Sequence, residues 1–187
     1  MAQNAAASGG ANVARVVLVG ATLRFVGEDR ARAWPERVVR RMRAQLAERP
    51  AETVRRFAEA TLSAEERADR PELPSEWADR LLAPTDFSPA GLDAGLGYLL
   101  ETDLTERWER FARSGAERTS DGRADRSRPD VFWLHGGSDP ICPVGAISHP
   151  SIRPETTTIF PGAGHAPFLT ERGRFAERLR RIADGHR

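Results

Sequence analysis

Three short apolar runs, one near the start of the chain and two near its end, limit what this sequence can fold into. Val13 to Val19 (VARVVLV) is β-branched almost throughout and stops at Gly20. Val131 to Leu134 (VFWL) stops at His135-Gly136-Gly137, and Thr156 to Phe160 (TTTIF) stops at Pro161-Gly162. Runs of this kind, without polar alternation, suit strands buried on both faces of a parallel sheet. Beyond the third run, Phe168, Phe175, Leu179 and Ile182 keep a helical spacing, which predicts a closing helix over 168–184. Gly185 then falls near its C-terminal cap. Strand, loop, strand, loop, helix is an α/β order.

The stretch between the first two runs reads as helices. Trp34, Val38, Met42 and Leu46 recur every four residues, with Pro35 suited to a first helical turn. Pro50 opens a second helix carrying Val54, Phe57 and Ala58. Trp77, Leu81 and Leu82 mark a third, and Leu92, Leu96, Leu99 and Leu100 a fourth. Trp108 and Phe111 mark a fifth, supported by Glu106–Arg110 and Glu109–Arg113 pairs. Residues 114–130 have almost no apolar content and read as an exposed loop. A helical excursion this long is no simple crossover. It predicts a core from 1–25 and 128–187, with a helical cap and exposed loop from 26–127. The apolar faces of that cap would cover a pocket, pack its helices together, or do both.

Composition excludes several classes. Net charge is +1, so nothing drives the chain as a whole toward nucleic acid. All 28 basic residues are arginine, which removes lysine Schiff-base and Walker-type phosphate chemistry. No apolar run is long enough to span a bilayer, and Met1 to Gly10 lacks the basic start of a secretory signal. A single cysteine, Cys142, allows neither an internal disulfide nor a Cys-based metal site. The four histidines lack spaced carboxylate partners, so no metal or cofactor is expected. These features together point to a cytoplasmic protein.

Two loops carry the chemistry, and each follows a predicted strand. One is His135-Gly136-Gly137-Ser138-Asp139-Pro140; the other is Gly162-Ala163-Gly164-His165-Ala166-Pro167. Ligands and catalytic groups of α/β sheets gather beyond the carboxyl ends of the strands. An acid on one loop and a histidine on the next can meet there, as the acid and base of a nucleophile–His–acid triad. Asp139 would fix the imidazole tautomer, and His165 would take and return the nucleophile's proton. His135 reads as packing beneath the acid loop, and Cys142 as packing rather than a nucleophile.

HGGSDPICP at 135–143 and GAGHAPF at 162–168, with Thr102-Asp103-Leu104, resemble the α/β-hydrolase superfamily. VVLVGATLRF at 16–25, ETVRRF at 52–57 and AGLGYLLETDL at 94–104 resemble its carboxylesterases acting on pimeloyl-[acyl-carrier protein] methyl ester in biotin synthesis. The resemblance implies a serine carboxylesterase with Asp139 and His165 as acid and base. It implies a small-molecule or carrier-bound ester substrate, with Arg56 and Phe57 as substrate- or carrier-binding residues. Glu52 stands where that family has another carrier-facing arginine, and Glu52–Arg56 is also an ordinary helical pair. No G-x-S-x-G nucleophile elbow occurs; Ser8 has neither a strand before it nor room for a helix after it. Met1 to Ala7 resembles the interior of the helix after such an elbow, so the expectation is a chain lacking its nucleophile segment. Lactone, C–C bond or haloperoxidase-like chemistry, or a non-catalytic remnant, are the alternatives.

Overall fold

The computed structural model describes residues 13–83, 88–114 and 129–185. Ser8, the segment Met1 to Ala7 and most of the expected 114–130 loop lie outside the described residues. The three apolar runs form strands β1 (Arg15–Val19), β2 (Asp130–Gly136) and β3 (Thr157–Phe160), all parallel, in the order β1-β2-β3. Register is set by Val17 opposite Phe132 and by Leu134 opposite Thr158.

The central strand fulfils the expectation of burial on both faces. Val131 and Trp133 pack with Leu18, Ile147 and Ile152 on one side; Phe132 and Leu134 pack with Phe160, Phe175 and Ile182 on the other. The first strand departs from it. Val13 is exposed and Ala14 precedes the strand, so the pairing starts at Arg15. β2 also runs further than expected, taking His135 and Gly136 into the ladder before the chain turns.

Among the described residues six helices separate β1 from β2: α1 (Glu36–Glu48), α2 (Pro50–Ala60), α3 (Ala64–Asp69), α4 (Leu73–Leu82), α5 (Pro89–Glu101) and α6 (Thr105–Ser114). Trp34 was expected on the first of these and is not. Its N–H donates to the Phe25 carbonyl and its indole Nε1 donates to the Pro140 carbonyl, 2.9 Å away. Pro35 adopts an extended backbone and stands just before the helix, so the four-residue spacing survives only from Val38. Helix α6 lays Trp108 edge-on against Trp133 and so joins the helical layer to the sheet. The expected closing helix is two: α7 (Pro167–Thr170) and α8 (Arg172–Ala183), broken at Glu171. Gly185 follows the second with φ +88°, a left-handed cap that glycine adopts without a Cβ penalty.

Candidate active site

The loops after β2 and β3 bring Asp139 and His165 together. His165 Nδ1–H donates to Asp139 Oδ2 over 3.0 Å. The Asp139 side chain is fully buried, while the His165 ring remains about a quarter exposed. The other carboxylate oxygen, Oδ1, accepts from the backbone N–H groups of Ile141 (2.8 Å) and Cys142 (2.9 Å). A short aspartate before proline thus closes its own turn with two amide donors and presents its second oxygen to the histidine.

Close backbone approach dictates the small residues here. Gly137 and Ser138 donate to the Phe160 and Ala163 carbonyls, tying the two loops edge to edge. A Cβ on Gly136 would lie 1.8 Å from the Gly164 carbonyl oxygen. Gly20, with φ +54°, lies against the histidine, where a Cβ would stand 2.8 Å from the ring. The His165 N–H donates to the Thr61 carbonyl at 2.7 Å, which anchors the base to the turn after α2.

That anchor was not anticipated, although its signal is present. Ser63-Ala64-Glu65-Glu66 is a capping box: the Ser63 hydroxyl accepts from the Glu66 N–H, and Glu66 Oε2 accepts from the Ser63 N–H. Glu66 Oε1 also accepts from the Thr170 hydroxyl on α7. Its carboxylate therefore staples the helical layer to the segment that follows His165.

His135 lies almost wholly buried under the acid loop, with Nε2–H donating to the Cys142 carbonyl at 2.6 Å. Burial pushes its ionisation below the usual histidine range, so the ring is neutral. Burial likewise pushes the Cys142 thiol far up, leaving it protonated and inert as a nucleophile. Asp139, Cys142 and His165 hold their donor atoms within 4.8 Å of one another. Both Asp139 oxygens are already engaged and the thiol is protonated, so this set is poorly suited to a metal ion.

A cavity of about 710 Å³ opens beside His165. Its lining includes Trp34, Met42, Phe57, Leu92 and Leu96, together with Gly20 at the end of β1. Among the described residues no Asp, Glu or Arg lines it. Phe57 therefore shares a cavity with His165. Arg56 does not; it points outward and pairs with Glu52 one turn earlier on α2.

Parallel strands whose carboxyl-end loops pair an aspartate with a histidine, under a helical layer inserted between the first two strands, define part of an α/β-hydrolase fold. No protein-family model matches the chain, and no curated protein matches it. Among solved structures it is similar to an esterase from Exiguobacterium antarcticum, at 20% identity and a TM-score of 0.68, over 94% of this chain and 59% of that one. It is also similar to a bromoperoxidase from Bacillus anthracis, at 17% identity and a TM-score of 0.70, over 95% of this chain and 60% of that one. The likeness is one of fold, and the chain spans about three-fifths of each neighbour's length. Among the described residues no helix is long and apolar enough to cross a membrane.

Proposed function

We propose that the chain carries the acid and base of a serine-type ester hydrolase, His165 serving as general base and acid and Asp139 as the residue that orients it. The 3.0 Å bond from His165 Nδ1 to a fully buried carboxylate, on a ring that opens into an apolar cavity, carries this reading. With Nδ1–H held by Asp139, Nε2 is left with the lone pair that a base requires. The nucleophile is a hydroxyl from outside the described residues. Its proton passes to Nε2 as its oxygen bonds the acyl carbon; the acyl–alkoxy bond then breaks and the alcohol departs with that proton. Water repeats the sequence on the acyl-enzyme and releases the acid.

The cavity supports a neutral acyl chain of medium length, because a charged chain would find no counter-ion among the described residues of its lining. A pimeloyl methyl ester on an acyl carrier protein fits this requirement, since its carboxylate is masked as the ester. In this reading 26–127 is the cap over a core of 1–25 and 128–187, Phe57 touches the acyl chain, and Arg56 faces an acidic carrier in the cytoplasm. Arg56 already shares its charge with Glu52, which argues for a contribution to encounter rate rather than affinity.

The test has two arms. The coding DNA upstream of Met1 is searched for an in-frame G-x-S-x-G, and esterase activity toward p-nitrophenyl esters is compared between this chain and any such extended form. Turnover is expected only in the extended form, with His165→Ala and Asp139→Asn each lowering kcat by about 10³-fold or more. Undiminished turnover in His165→Ala overturns the assignment.

A further inference from the structure

We propose that His135 is a positioning residue for the Asp139–His165 pair, its neutral Nε2–H holding the 139–142 turn in the one arrangement that aims Asp139 Oδ2 at His165. The inference rests on the reading of Asp139 and His165 as acid and base. It begins from a buried titratable ring that the proposed mechanism leaves unused.

The Cys142 carbonyl can only accept, so the 2.6 Å contact requires a hydrogen on His135 Nε2. The same residue's N–H donates to Asp139 Oδ1. Both backbone groups of Cys142 are thus held, its carbonyl by the ring from β2 and its N–H by the aspartate. The Nε2 atom also stands 3.6 Å from Asp139 Oδ2, too long for a hydrogen bond but near enough to lie alongside the carboxylate that it helps to place. His135 Nδ1 is buried and has no hydrogen-bond partner among the described residues. A lone pair there is a smaller cost than a buried N–H or a second charge, so the neutral Nε2–H tautomer is the one the site selects. The groups that act on the ring electrostatically are Asp139 and His165, with the Cys142 carbonyl as hydrogen-bond partner. An apolar residue at 135 has no hydrogen to donate to that carbonyl. It would leave the Cys142 carbonyl buried without a donor and the turn free to rotate Oδ2 away.

The experiment is nitrogen-15 and proton NMR of the histidine rings in the full chain at pH 8, for wild type, His135→Leu and His135→Gln. The glutamine can return an N–H close to the position of Nε2. In wild type, His165 is expected as the Nδ1–H tautomer with a slowly exchanging, downfield-shifted ring proton. His135→Leu should lose that proton and shift His165 toward the Nε2–H tautomer while far-ultraviolet circular dichroism stays native; His135→Gln should restore it. If wild type itself lacks the resonance, the Asp139–His165 reading falls and this proposal with it. If wild type shows it and His135→Leu keeps it, the pair stands and the positioning role is refuted. Should His135→Leu lose its native circular dichroism, His135→Gln decides alone: a native spectrum without the downfield proton refutes the proposal, and one with it upholds it.

Discussion

Among the glycines of the site, Gly136 leaves the least room for a side chain. Its missing Cβ is occupied by the Gly164 and Ala163 carbonyl oxygens, 1.8 and 2.5 Å from where that atom would be. Gly136→Ala must push the His165 loop off β2, and we expect a cost of about 3 kcal/mol in denaturant unfolding, typical of a rigidly overpacked site. His135 supplies a second prediction at this scale. Its ionisation lies below the ordinary value of 6.5, so between those two points the unfolded chain binds a proton that the folded chain does not. Stability then rises with pH, is fully present above about 6.5, and is lost as the pH falls below it, by no more than about 1.4 kcal/mol per pH unit for one proton. Thermal melts from pH 7.5 to 5 should show this decline, and His135→Gln should flatten it; an unchanged slope removes His135 as its source. Asp139 and His165 were legible in the sequence because an aspartate before proline and a histidine among small residues are local patterns. The hydrogen bond of His135 was not, since it depends on β2 continuing through Gly136 and on the return path of residues 139–142.

Elements repeat this division between local and distant causes. The strands were readable as short apolar runs, and the helices α1, α2, α4, α5 and α6 from large apolar residues at helical spacing. Helix α3 was missed because six residues offer no period; only its capping box announces it. Trp34 was misplaced for the opposite reason: its spacing from Val38 is helical, while its backbone is committed to Phe25 and its indole to Pro140. The staple made by Glu66 is where an element bears on the site. Glu66→Ala strips acceptors from the buried Ser63 N–H and from the Thr170 hydroxyl, and we expect a loss of about 2 kcal/mol in chemical denaturation. Glu66→Gln keeps one carbonyl oxygen and should recover part of that loss. Faster amide exchange at His165, whose N–H is held by Thr61 just before the staple, should accompany Glu66→Ala.

Across the whole molecule, a basic segment from Arg30 to Arg56, with nine arginines against three glutamates, meets an acidic segment from Glu59 to Asp103, with eleven acids against three arginines. Arginines of the basic segment reach acids of the acidic one, with Arg43 bound through two hydrogen bonds to Asp93 and Arg55 to Asp79 at 2.9 Å. The sequence displays the asymmetry, but only the packing of α1 on α5 and of α2 on α4 decides which charges meet. Those contacts hold the helical layer around the cavity beside His165. On α5, Gly95 lines that cavity, and a Cβ placed there would have no atom within 4 Å. A glycine inside an exposed helix gives up about 0.8 kcal/mol relative to leucine, and nothing packed against this one requires its absence of a side chain. Gly95→Leu therefore separates two effects of opposite sign. Helix propensity should raise the unfolding free energy by about 0.8 kcal/mol. The added side chain should occupy the cavity and weaken binding of an uncharged fluorescent probe, N-phenyl-1-naphthylamine, by about tenfold, equivalent to about 1.4 kcal/mol. Titration of the probe alongside a urea melt reads both quantities on the same chain, and unaltered probe affinity in Gly95→Leu would show that apolar ligands do not use the α5 side of the cavity.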